Sequence, residues 1–279
     1  MVSLPSKWLR ANNLGKGDEI EVTEKDKELT ISSKATAKKK KEKIIEINNE
    51  NKHDIYPILT HAYRKGFDKI ILKGLINAIA KQVKSITNNL LLGFEVTEKT
   101  DKEIVIENIS EPTENKYEVI LKKVFMIIKD TNEFLLEDLK ASKFNMLEMQ
   151  ENRDLGDKFI LFCRRILNKS RSDIALDWEF LTFLMHIEHV YYYLYRYIVK
   201  NKVKSEKPML DLIKELGKYF NLLEKAYNDK DLNDIHKINN LKDKFQFGKC
   251  LELLSKSKGK ETVVYSYIGE IFRLIQIGT

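Results

Sequence analysis

"DWEFLTFLMHIEHVYYYLYRYIVKNKV", residues 177–203, is apolar on nearly every face of a 3.6-residue period. A helix that faces water keeps a polar stripe, so a helix without one belongs at the centre of a bundle. The same period recurs on either side of it. Ile120, Val124, Ile127, Phe134 and Asp138 mark the seam of a first helix at roughly 117–140. A second covers about 144–168, with Leu155, Phe159, Phe162 and Ile166 on one face. Beyond the central helix, Pro208 opens a fourth that runs to about Asn228. A fifth spans about 231–256, and a sixth carries Val264, Tyr267, Ile271 and Leu274 in register from Glu261 to Ile277. Six helices with short connections predict an antiparallel bundle. "FLLEDLKASKFNMLEMQENRD" (134–154) and "YFNLLEKAYNDKDLNDIHKIN" (219–239) each join an apolar helix end to a second helix at the same offset. That spacing predicts a tandem three-helix unit, broken near residues 204–208.

Upstream the period changes. "KIIEI" (43–47) alternates like a strand, and "HDIYPILTHAYRKGF" (53–67) puts Ile55, Leu59 and Ala62 on one helical stripe that ends at Gly66. "DKIILKG" (68–74) reads as a buried strand and "INAIAKQVKSITNN" (76–89) as a second amphipathic helix. "LLLGFEVTEKTDKEIVIENI" (90–109) reads as a hairpin turning near Thr100-Asp101. The order β-α-β-α-β-β describes a compact α+β domain. It holds no Gly-rich phosphate loop, no HExxH and no nucleophile elbow.

The first 43 residues are basic, with eleven Lys/Arg against seven acids, while the whole chain of 279 residues carries a formal net charge of +7. That balance leans towards polyanions. "SSKATAKKKKEK" (32–43) has almost no apolar residue and cannot join a core. It reads as a solvated tether, or as one that also contacts DNA through Lys38, Lys39, Lys40 and Lys41. Cys163 and Cys250 lack metal-type spacing and fit a reducing cytosol. No apolar leader and no uncharged run of 18 apolar residues is present, so the expected location is cytoplasmic, without membrane insertion.

"VSLPSKWLRANNLGKGDEIEVTEKDKELTIS" (2–32) resembles the AbrB/SpoVT swapped-hairpin DNA-binding domain, with its "LP" step, short helix and "L-x-x-GD-x-I-x-V" turn into a strand. In that family a further strand precedes the "LP" step. Met1 falls where it should run, so the head is expected to be truncated by one strand. "ENRDLGDKFILFCRRIL" (151–167) and "MHIEHVYYYLYRYI" (185–198) are similar to helices of PhoU, the phosphate-uptake regulator built from two three-helix repeats. Head, middle and tail together resemble the archaeal PhoU-type regulators. The expected fold is mainly α. It comprises a small swapped-hairpin β head (AbrB-like, truncated) at 1–33 and a basic linker at 34–43. An α+β middle domain follows at 44–112, then a PhoU-like bundle at 113–279 of two repeats, about 113–205 and 206–279.

The resemblance implies a homodimer that binds DNA through its head. Arg10 matches a DNA-contacting position of the family, and Lys7 and Lys16 are supporting candidates. Pro5 is expected in the first helical turn, Gly15 and Gly17 in a turn, and Trp8 in the core. PhoU proteins can hold divalent or iron clusters on helical carboxylates spaced by four, which share one face. Here Tyr192 stands four residues after Glu188, and Asp157 is preceded at four by Arg153. One carboxylate per helix makes a poor cluster, so neither metal nor cofactor is expected; Asp157 and Glu188 are the nearest to ligands. His186 and His189 read as hydrogen-bonded bundle histidines, and Glu188 as a buried acid paired with Arg164 or Arg165. No nucleophile, base and oxyanion donor can be named together, so no enzymatic activity is expected. The function implied is a phosphate-responsive regulator of uptake and transcription. The alternative is an adaptor acting on a phosphate transporter's ATPase or a signalling kinase without binding DNA.

Overall fold

The computed structural model describes residues 3–25, 28–33, 40–110, 116–170 and 174–279. The chain forms two compact units, Met1–Lys41 and Glu42–Thr279. The first contains α1 (Ser6–Ala11), β1 (Ile20–Lys25) and β2 (Glu28–Ser33). Pro5 sits at the N-cap, one step before its expected place in the first turn. With ψ at 129° it is extended, and its carbonyl accepts from the Trp8 and Leu9 N–H groups. Trp8, expected in a core, is only half-buried, and no residue of α1 is buried. Gly17 has φ +100°, a conformation that L side chains rarely adopt. The two strands pair antiparallel from Ile20 opposite Ser33 to Lys25 opposite Glu28.

The second unit opens with β3 (Glu42–Ile47), α2 (Ile55–Arg64), β4 (Lys69–Gly74), α3 (Ile76–Leu90), β5 (Phe94–Lys99) and β6 (Glu103–Asn108). The strands form one mixed sheet in the order β3-β4-β6-β5, with only β3 and β4 parallel. Gly74 closes β4 at φ +105°, where a Cβ would lie 2.2 Å from the Ile47 carbonyl oxygen, so no other residue fits.

Helices fill the rest: α4 (Lys116–Ala141), α5 (Met146–Ser170), α6 (Ala175–Asn201), α7 (Lys207–Asp229), α8 (Leu232–Lys244), α9 (Leu251–Lys256) and α10 (Lys260–Ile277). α6 lies at the centre, packed on α4, α5 and α10, while α7 packs on α4, α8 and α10. The long fifth helix expected at 231–256 is interrupted. A π-helical turn at Phe245–Cys250 separates α8 from α9, and Gly248 sits in it where a Cβ would come within 2.8 Å of the Asp243 carbonyl oxygen.

α2 and α3 pack against α5, so one apolar core runs from the sheet into the bundle. α5 is clamped from two sides, and every residue from Ile160 to Leu167 is half-buried or buried. Phe162 and Ile166 face inward as expected and Phe159 is partly buried, but Leu155 is 40% exposed. The buried stripe instead runs through Met149, Gly156, Ile160 and Cys163.

Candidate nucleic-acid interface and buried polar centres

Lys7 and Arg10, three apart on α1, share one helical face and are exposed. Lys16 in the following turn is also exposed, as are Lys40 and Lys41; Lys38 and Lys39 lie outside the described residues. The turn is pinned to the helix. Asn12 Nδ2 donates to the Trp8 carbonyl at 2.9 Å, the Leu14 N–H to the Leu9 carbonyl at 2.9 Å, and the Gly15 N–H to Asp18 Oδ2 at 2.7 Å. These bonds hold the backbone of Lys16 in place relative to α1, so helix and turn present their cations together.

The hairpin beside them has an unfinished face. The pairing register puts Ile20, Val22, Leu29 and Ile31 on one side. Val22 is 52% and Leu29 64% exposed. A lone two-stranded hairpin is marginal in water and needs further strands or a packed surface.

Inside the bundle, the residues weighed as metal ligands, Glu188 and Asp157, fall into two separate sets of polar contacts among α4, α5 and α6. Glu188 is fully buried; its Oε1 accepts from the Thr131 hydroxyl at 3.1 Å, and its Oε2 has no hydrogen-bond partner among the described residues. Burial pushes its carboxyl up to about 8, with the nearby Asp157 charge adding to the rise and the Thr131 hydrogen bond opposing it. Gly156 makes room for it, since a Cβ there would meet Glu188 Cγ at 3.4 Å. Asp157 does not join Glu188. Its Oδ1 lies 2.9 Å from His189 Nε2, and its Oδ2 lies 3.9 Å from Arg153 Nε, whose guanidinium stacks over the Tyr192 ring. His186 is exposed rather than bonded into the bundle core as expected. Among the described residues no group of three or more His, Cys, Asp or Glu side chains is placed to hold a metal ion.

Neither arginine expected to neutralise Glu188 does so. Arg164 donates to Thr182 Oγ1 at 2.8 Å and lies over the Trp178 ring, with burial pulling its guanidinium down to about 10. Arg165 points to the α+β layer instead. It is fully buried, donates to the Tyr63 and Phe67 carbonyls at 3.0 and 2.7 Å, and pairs with Asp68 at 2.8 Å. Its guanidinium lies over both the Tyr63 and Phe94 rings, which meet edge to face, and Lys169 reaches the same Asp68 oxygen at 2.5 Å. The cause is geometric: α5 turns Arg165 towards α2 and β4, while Glu188 faces α4 and Gly156.

Residues 1–43 match the family model described as "Antidote-toxin recognition MazE, bacterial antitoxin". No curated protein and no solved structure matches the chain. The match is AbrB/SpoVT-like in kind and supports a DNA-binding regulator at the N-terminus, over the segment that carries α1 and the hairpin. Among the described residues no helix is long and apolar enough to cross a membrane.

Proposed function

We propose that the chain is a homodimeric, non-enzymatic DNA-binding regulator. Two copies cover each other's hairpin face, and Lys7, Arg10 and Lys16 meet the phosphate backbone. The observation that carries this reading is the coincidence of the family match with a hairpin whose apolar side is left open. The helical body is the sensor in this proposal. Its response to phosphate rests on the similarity of 151–167 and 185–198 to PhoU helices. Only the head matches the antitoxin family, so the toxin recognition in that family's description is not carried to the body.

Two results follow. Leu29→Asp places a charge on the open face, so sedimentation equilibrium is expected to shift the chain from dimer towards monomer; a wild-type chain that is monomeric at all concentrations contradicts the reading. In gel shifts on the DNA upstream of its own gene and on an unrelated duplex, Arg10→Ala is expected to weaken binding to both alike and to reduce the salt slope by about 1, with the fold intact. If the dimer binds no DNA at low salt, the regulator reading fails and the adaptor acting on a transporter ATPase or kinase replaces it.

A further inference from the structure

The helices of the body alternate in direction, so the α4–α5 and α6–α7 turns come to the same end of the bundle. They share a cleft of about 550 Å³ with an apolar floor of Leu139, Phe144, Ile198 and Val203 and a rim that includes Lys202 and Lys204. Lys260 at the start of α10 joins this end, its Nζ donating to the Asn201 carbonyl at 2.7 Å. Leu147, one turn beyond Phe144, is 68% exposed.

Charge at the cleft itself is positive, since Lys202 and Lys204 line it and no carboxylate does. Lys140, Lys143, Lys200, Lys202, Lys204 and Lys207 flank the two turns, all of them exposed and none in an ion pair among the described residues. The acids beside these turns are Glu137, Asp138, Glu148 and Glu206, with Glu261 next to Lys260; Asp138 accepts from the Tyr195 hydroxyl and the Asn145 N–H, and Glu148 from the Asn145 side-chain amide. The helix dipole accounts for Lys140 and Lys200, which lie in the last turns of α4 and α6. It also accounts for Lys143, two residues past the end of α4, whose N–H donates to the Asp138 carbonyl at 3.1 Å, but it works against Lys207 at the first residue of α7.

We propose that this end of the bundle docks an acidic segment of a partner protein, with a bulky apolar side chain of that segment in the cleft and its carboxylates on the lysines. A phosphate backbone would use the lysines but not the concave apolar floor, and a flat lipid surface could not enter it. Affinity would come from the buried apolar side chain, and orientation and encounter rate from the surrounding charge.

The test uses the full chain and a fluorescein-labelled peptide, Asp-Glu-Asp-Leu-Phe-Glu-Asp-Glu, followed by anisotropy. A second peptide carries Ser-Ser in place of Leu-Phe. The first is expected to bind, with the second about tenfold weaker or more, a difference of about 1.4 kcal/mol. Lys202→Glu/Lys204→Glu is expected to weaken the first peptide by about tenfold or more while leaving the thermal melt and DNA binding unchanged. Equal affinity for both peptides, or no loss in the double variant, overturns the proposal. So does binding to phosphatidylserine vesicles, or to duplex DNA, that depends on Lys202 and Lys204 while the peptide does not bind.

Discussion

Replacing Arg165 by methionine is expected to lower the free energy of unfolding by about 3–5 kcal/mol, the usual range when one member of a buried ion pair is removed. The size of the effect comes from what the guanidinium leaves behind. The Tyr63 and Phe67 carbonyls lose a donor, Asp68 loses one of its cations, and two aromatic rings lose the charge that lies over them. Methionine retains most of the apolar stem, so a cavity explains little of the loss. Arg165→Lys should fall between the two, because an ammonium keeps the charge but cannot bridge two carbonyls and a carboxylate in one plane. Urea unfolding of the full chain measures both. A loss below about 1 kcal/mol for Arg165→Met would show that Arg165 contributes little to holding the α+β layer on α5.

Glu188→Gln is expected to make the protein more stable at alkaline pH. The folded carboxyl is held near 8 by burial, against 4.5 in the ordinary state, so the folded chain keeps a proton that the unfolded chain releases. The contribution of Glu188 to stability is therefore full below about pH 4.5, falls as pH rises, and levels off above about pH 8. At about 1.36 kcal/mol per unit, the loss across that window is on the order of 3–5 kcal/mol. Glutamine keeps the shape of the protonated acid and has no proton to lose. Its advantage over wild type should be absent near pH 4.5 and reach a few kcal/mol at pH 8, less the cost of a buried amide N–H without an acceptor, about 1–3 kcal/mol. Chemical denaturation of both proteins over pH 5–8.5 reads the difference directly. Parallel stability curves would mean that Glu188 is ionised in the folded state and has a cation or water that compensates it.

Much of the body is legible in its sequence because its apolar residues repeat with one period per element. The strand, helix and hairpin order of residues 42–108 follows from switches between period 2 and period 3.6. The uniformly apolar stretch around Tyr191–Tyr195 likewise announces a central helix, and α6 is central. What the sequence hides is the choice of partners across long separations. "CRRIL" does not tell that Arg164 turns to Thr182 and Trp178 while Arg165 reaches Asp68, 97 residues earlier. Leu155 fits a single inward stripe in the sequence, but α5 is clamped from two directions and its buried stripe is displaced by one residue. The π-helical turn leaves one trace, Gly248 within an otherwise helical pattern, where a carbonyl approaches too closely for any Cβ. In the head, the exposed cations are plain in the sequence. The open apolar face emerges only when the hairpin register pairs Val22 with Ile31 and Glu24 with Leu29.

The central claim is that the head is a DNA-binding element whose contacts run through α1 and its pinned turn. The most direct measurement is anisotropy of a labelled duplex titrated with the full chain at several salt concentrations between about 50 and 200 mM. The account predicts binding to non-specific duplex with Kd of about 10⁻⁴–10⁻⁶ M, and log affinity that falls linearly with log salt at about −0.9 per phosphate neutralised. The triple variant Lys7→Glu/Arg10→Glu/Lys16→Glu should abolish most of that affinity and flatten the slope, with the thermal melt of the body unchanged. Absence of binding at the lowest salt, or a triple variant that binds with the wild-type affinity and slope, would contradict it.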